Sequence, residues 1–121
     1  MELKGVCLNT NNVPRLVDFY SKVLRLKAEG DDVHSVFSEA SLAIWNPGNI
    51  DEHQYQTSER FVTLMFGVDN ADDEYERLKQ LDISIEFNSQ PTTYPWGARA
   101  FGLRDPDGNN IDFLSPAKKE Q

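Results

Sequence analysis

The sequence predicts an α+β protein built as two βαβββ modules, and three observations predict it. Shifting the chain by 58 residues lays Val6 on Leu64, Leu8 on Phe66, Asn12 on Asn70, Val17 on Tyr75, Tyr20 on Leu78 and Val23 on Leu81. A shift of 69 lays Leu42-Ala43-Ile44-Trp45-Asn46-Pro47 on Ile111-Asp112-Phe113-Leu114-Ser115-Pro116, so the eleven extra residues of the second copy fall before its last hairpin. That hairpin is the third observation. Ala98 to Arg104 places Phe101 and Leu103 on one face in the period-2 pattern of a half-buried strand. Asp105-Pro106-Asp107-Gly108-Asn109 is dense turn chemistry, and Ile111 to Leu114 resumes as a strand that Pro116 ends. Neither copy can cover its sheet alone. The 121 residues therefore read as one domain, with modules 1–48 and 61–116 and the polar, aperiodic stretch 49–60 as connector.

The elements follow in order. Leu3 to Thr10 reads as a strand, with Val6 and Leu8 on one face and Gly5, Cys7 and Asn9 on the other. Asn12 is a helix N-cap with Pro14 in the first turn, and Leu16, Val17, Phe19, Tyr20, Val23 and Leu24 keep helical spacing, predicting a helix near 13–26. Short strands are expected around Lys27–Glu29, Val33–Ser38 and Leu42–Trp45. In the second module Phe61 to Val68 is a strand, Asn70 caps a helix near 70–82 with Tyr75, Leu78 and Leu81 on its apolar stripe, Ile83 to Phe87 is a strand, and Asn88 to Gly97 is a long loop.

Composition narrows the function. A hydrophobic share of 39% and a charged share of 26% suit a folded domain. A formal net charge of −8 and a pI near 4.6 argue against nucleic acid or an anionic membrane as partners. One cysteine excludes an internal disulfide and fits a reducing cytosol. The N-terminal stretch has no basic segment leading into an apolar run, so no signal peptide is read, and the expected location is cytoplasmic.

With its D-P-D-G-N turn followed by alternating hydrophobics, the closing hairpin resembles that of the glyoxalase/bleomycin-resistance/dioxygenase (vicinal oxygen chelate) superfamily. The preceding P-W-G-x-R-x-F looks like its bleomycin-resistance-type branch. The resemblance runs over residues 3–116 and implies curved mixed sheets around a cleft, each with its helix on the outer face. Strand alternation then sends Val6, Leu8, Leu42, Ile44, Leu64, Phe66, Phe101, Leu103, Ile111 and Phe113 under the helices. Cys7, Ala43, Trp45, Thr63, Met65, Arg104, Asp112 and Leu114 face the cleft.

Metal-dependent members of that superfamily hold a divalent ion through four inner-face positions, usually His, Gln or Glu. Carried over, these fall on Gly5, Ala43, Thr63 and Asp112, of which Asp112 alone carries a good donor. Even a catalytic site takes about three protein ligands, so no metal and no other cofactor is expected; His34 and His53 are too far from these positions to replace them. Cys7 lacks a neighbouring base to make it a nucleophile and reads as a small buried cysteine. The expected ligand-binding set is Trp45, Trp96, Tyr94, Arg104, Asp112, Met65 and Cys7. The tryptophans offer stacking surface, and they suit a core or dimer interface equally well. Arg99 is a further polar anchor, more suited to pairing with Asp105 or Asp107 in the turn.

Two functions follow from different classes. One is a binding protein that takes up a small organic ligand in a cleft, of the sequestration or resistance type. The alternative is an enzyme of the glyoxalase or dioxygenase type, a lyase, isomerase or dioxygenase using a metal or an acid/base such as Asp112. Open sheets of this size leave edges and apolar surface uncovered, so a homodimer is expected.

Overall fold

Asn12 and Asn70 begin the two helices in the same way. In the computed structural model, which describes residues 1–50 and 62–117, the Asn12 side chain accepts the Arg15 N–H at 3.2 Å and opens α1 (Val13–Leu24). The Asn70 side chain accepts the Asp73 N–H at 3.0 Å and opens α2 (Ala71–Lys79). Each cap satisfies an N–H that the first helical turn leaves without a partner. Asp72, Asp73 and Glu74 crowd the start of α2, while Arg77 and Lys79 stand in its last turn, matching the helix dipole at both ends. Both helices stop slightly short of their expected ends. Arg25 turns left-handed at φ 57 after α1, and the Gln80 and Leu81 N–H groups bond three residues back at 3.2 Å, tightening the chain off α2.

The chain divides into two compact units, Met1–Glu59 and Arg60–Gln121. The expected connector 49–60 lies mostly outside the described residues, as does Phe61. The first unit holds β1 (Val6–Asn9), β2 (Glu29–Gly30), β3 (His34–Phe37) and β4 (Leu42–Trp45) in the order β1-β4-β3-β2. The second holds β5 (Thr63–Gly67), β6 (Glu86–Phe87), β7 (Thr92–Thr93), β8 (Ala98–Arg104) and β9 (Asn110–Pro116) in the order β5-β9-β8-β6, with β7 also on β8. Both sheets are mixed and open, and the fold is α+β. The expected loop 88–97 contains β7, and the strands expected at 3–10 and 83–87 are shorter.

The repeat extends to the register. In the first unit Val6 lies beside Leu42 and Leu8 beside Ile44 across a parallel pair. In the second, Leu64 lies beside Ile111 and Phe66 beside Phe113. These are the residues that the shifts of 58 and 69 superimpose. The bond that follows each pair repeats too, Thr10 N–H to Trp45 O at 2.9 Å and Val68 N–H to Leu114 O at 2.8 Å.

Each core lies between a helix and its own sheet. Leu16, Tyr20 and Val23 of α1 are buried with Phe37, Leu42 and Ile44. Leu78 of α2 is buried with Phe101, Leu103, Ile111 and Phe113. Val6 departs from expectation and is 36% exposed, while Leu8 and Phe66 are half-buried. The helices explain this: α1 lies chiefly over β3 and β4, and α2 over β8 and β9, so the edge strands β1 and β5 receive less cover.

The turn joining β8 to β9 is held from within. The buried Asp105 carboxylate accepts the Asp107 and Asn109 N–H groups, each at 2.9 Å, and the Asn109 side-chain amide at 2.8 Å. Gly108, at φ 88, takes the left-handed position of the turn and donates its N–H to Asp105 O at 2.9 Å.

Candidate functional site

A strand residue and its cross-strand partner share a face, so the register decides which side chains stand away from each helix. In the first unit that face carries Cys7 beside Ala43 beside Val36, and Asn9 beside Trp45 beside His34. Trp45 is 42% exposed. Cys7 is exposed rather than buried, because the edge strand turns it to the face that α1 does not cover, and its thiol reaches Asn9 Oδ1 at 3.7 Å. His34, which the sequence offered as a lone histidine, is the immediate neighbour of Trp45 through the β3–β4 pairing. His53 lies outside the described residues.

In the second unit the face away from α2 carries Thr63, Met65 and Gly67 on β5, Asn110, Asp112 and Leu114 on β9, and Ala100, Gly102 and Arg104 on β8. Asp112 is central, with Met65 on one side and Gly102 on the other. A Cβ at position 102 would sit 2.9 Å from Asp112 Oδ1, so glycine is what leaves the carboxyl room to lie over β8. Arg104 directs its Nε to Asn88 Oδ1 at 3.3 Å. The Asp112 carboxyl has no hydrogen-bond or ion-pair partner among the described residues, and burial pushes it above the ordinary 3.8.

This shift has a sign that thermal melts can read. A raised folded-state value means that folding favours protonated Asp112; that contribution is full below 3.8 and is lost as pH rises through the raised value. Asp112→Asn, an uncharged isostere, is expected to raise Tm at neutral pH, with the gain fading as pH falls through the raised value and gone below 3.8. A variant less stable than the parent at neutral pH would mean that the carboxylate has a compensating partner.

The remaining expected residues are placed apart from Asp112. Tyr94 and Trp96 stack at 4.8 Å with 15° between their planes, on a turn fixed by Gly97 N–H to Tyr94 O at 3.1 Å and Tyr94 N–H to Ala98 O at 2.8 Å. Trp96 is 76% exposed. The pair sits beyond the Ala98 end of β8, and at ~3.4 Å per residue Gly102 lies roughly 14 Å further along. Arg99 does not hold the Asp105 turn. It lies on the helix side of β8, where its Nε and Nη2 grip the Asp72 carboxylate at 2.6 and 2.9 Å and its Nη1 meets Thr93 Oγ1 at 3.0 Å. The forked pairing raises the guanidinium above its already high value. Asp105 is instead occupied by its own turn.

The four positions that the resemblance assigns to a divalent ion offer one carboxylate and one hydroxyl. Position 5 is closed: a Cβ on Gly5 would stand 2.4 Å from Ser41 O, the same oxygen that takes the Val6 N–H at 2.9 Å. Ala43 has no donor, Thr63 offers a hydroxyl, and Asp112 is a single carboxylate. Among the described residues no three His, Cys, Asp or Glu side chains converge as a metal set.

Comparison with known proteins agrees with this architecture. A 23% identical structure, described as a glyoxalase/bleomycin resistance protein/dioxygenase from Nocardioides, matches 100% of this chain and 87% of its own with a TM-score of 0.75. An integron cassette protein from the mobile metagenome of V. cholerae is 26% identical, with 95% and 94% of the two chains covered and a TM-score of 0.68. A genomically encoded fosfomycin resistance protein from Listeria monocytogenes is 14% identical, with 97% and 94% covered and a TM-score of 0.71. No curated protein matches. Residues 3–113 match the Glyoxalase/Bleomycin resistance protein/Dioxygenase superfamily, and with two repeats in matching register around open mixed sheets, the chain belongs to that superfamily.

Proposed function

We propose that this protein binds a small organic ligand without a resident metal ion, in the manner of the sequestration or resistance members of its superfamily. The observation that carries the reading is the donor set: Gly5 is shut by the Ser41 carbonyl, Ala43 and Thr63 are poor ligands, and Asp112 stands alone. What the open faces offer in its place is contact surface, with Met65 beside Asp112 in the second unit and Trp45 beside His34 in the first. The proposed contact set also takes Arg104, Tyr94 and Trp96 on the second unit and, separately, Cys7 on the first. Affinity then comes from burying ligand surface, at ~25 cal/mol per Å² before ordering costs. The bleomycin-resistance-type branch, a cytoplasmic location and a homodimer belong to the same reading. Among the described residues no helix is long and apolar enough to cross a membrane.

The test uses tag-free protein stripped with EDTA and then offered Zn2+, Ni2+, Mn2+ or Fe2+ before desalting. Well under one ion per chain is expected to remain. In a thermal-shift screen of aromatic amines and glycosides, stripped and untreated protein are expected to respond alike. A binder at ~100 times its Kd stabilises by about 2.7 kcal/mol. Retention of one ion per chain, lost in Asp112→Asn, would overturn the proposal. That result would restore the enzyme reading, which the raised Asp112 carboxyl independently favours as an acid/base of the glyoxalase type.

A further inference from the structure

We infer that Asp112 is the counter-ion for the ammonium group of an amphipathic organic cation whose apolar body lies on Met65. This rests on the proposed function and names its ligand class. Three observations carry it. Asp112 lies on the face away from α2, and Gly102 beside it leaves room where any Cβ would come within 2.9 Å of Oδ1. The guanidinium on the same face, Arg104, is directed to Asn88, and the Asp112 carboxyl has no hydrogen-bond or ion-pair partner among the described residues.

Third, its cross-strand neighbour is Met65, a large apolar side chain that is 67% exposed. A thioether is adaptable and packs well against aromatic rings. A carboxylate partly withdrawn from water gains most from a partner that brings both opposite charge and N–H donors, which an ammonium group does. A divalent ion would need further ligands that the position lacks. Amine and apolar body on one small molecule match carboxylate and thioether on adjacent strands, which lie about 4.8 Å apart. The formal net charge of −8 also attracts cations to the protein from a distance.

Amide NMR titration with a matched pair of probes tests this on the full chain. Phenethylammonium and 2-phenylethanol share a ring and spacer and differ in charge. Phenethylammonium is expected to shift the Met65, Gly102 and Asp112 amides saturably, with at least tenfold higher affinity than the alcohol. Asp112→Asn should bring the two probes within about twofold of each other. Met65→Ala, at an exposed site that folding tolerates, should weaken both probes by a similar factor. If the alcohol binds at these amides as tightly as the amine, the cation assignment is overturned while the proposed organic-ligand function stands. Binding of the amine that Asp112→Asn leaves unchanged overturns it as well. Should neither probe shift these amides, while the thermal-shift screen yields a binder that does, the ligand class is wrong and the binding function survives. If no organic compound binds at all, both fail.

Discussion

Replacing Phe101 by alanine in the core of the second unit is expected to cost about 3–5 kcal/mol. The ring is 1% exposed and stands at the centre of an aromatic cluster. Phe113 stacks on it at 5.5 Å, Tyr75 of α2 meets it edge-on at 5.2 Å, and Phe87 of β6 lies at 6.3 Å. Three elements thus converge on one side chain. The alanine variant loses the transfer energy of the ring and leaves a cavity that three flanking rings are too stiff to fill. Typical domains are stable by about 5–15 kcal/mol, so the loss is a large part of the total. Urea denaturation followed by far-UV circular dichroism reads it directly. A loss below ~1 kcal/mol would mean that the cluster is not what holds α2 on its sheet.

The second large effect concerns Gly5, where the superfamily places a metal ligand. Gly5→His is expected to destabilise the protein by about 1–3 kcal/mol through overpacking and to add no metal affinity. The cause lies at Cβ rather than in the imidazole: the added carbon would stand 2.4 Å from Ser41 O and 3.2 Å from Ser41 C. Backbone cannot step aside cheaply there. Ser41 is left-handed at φ 53 where the 3-10 turn Ser38–Ala40 ends, and its carbonyl starts the β1–β4 pairing through Val6 N–H. Gly5→Ala should therefore be destabilised to a similar degree. An alanine variant as stable as the parent would refute the closure. A histidine variant that binds one Zn2+ per chain would refute the misfit with a metal.

What the sequence showed of this protein was its symmetry, and symmetry carried a long way. Matching Asn12 with Asn70 foretold both caps, and matching Leu42 with Ile111 placed the last strand of each unit. Alternation, being local, also sorted the residues of β8 and β9 onto their two faces, while Val6 on β1 departs from it. Facts set by distant chain were not legible. Arg99 finds Asp72, 27 residues away, and no local pattern marks that choice over the nearer aspartates of the turn. Thr92 and Thr93 become β7 because Ala100 and Arg99 offer them a partner, not through any alternation of their own. Val6 is exposed because α1 settles over inner strands, a displacement that periodicity does not encode. His34 joins Trp45 only through the β3–β4 register, which a strand-by-strand reading of 33–38 and 42–45 allows to be worked out afterwards.

The self-contained Asp105 turn has a consequence for how the second sheet is assembled. Only residues 105–109 separate β8 from β9, whereas residues 68–109 separate β5 from β9. The second closure spans about three more doublings of chain length, and each doubling adds about 0.6 kcal/mol of lost chain entropy, so it begins roughly 2 kcal/mol behind. The hairpin is thus the template, and β5 a late addition to its flank. Damage within β5 frays one margin of the sheet; damage to the Asp105 turn removes the surface on which β5 and β6 both assemble.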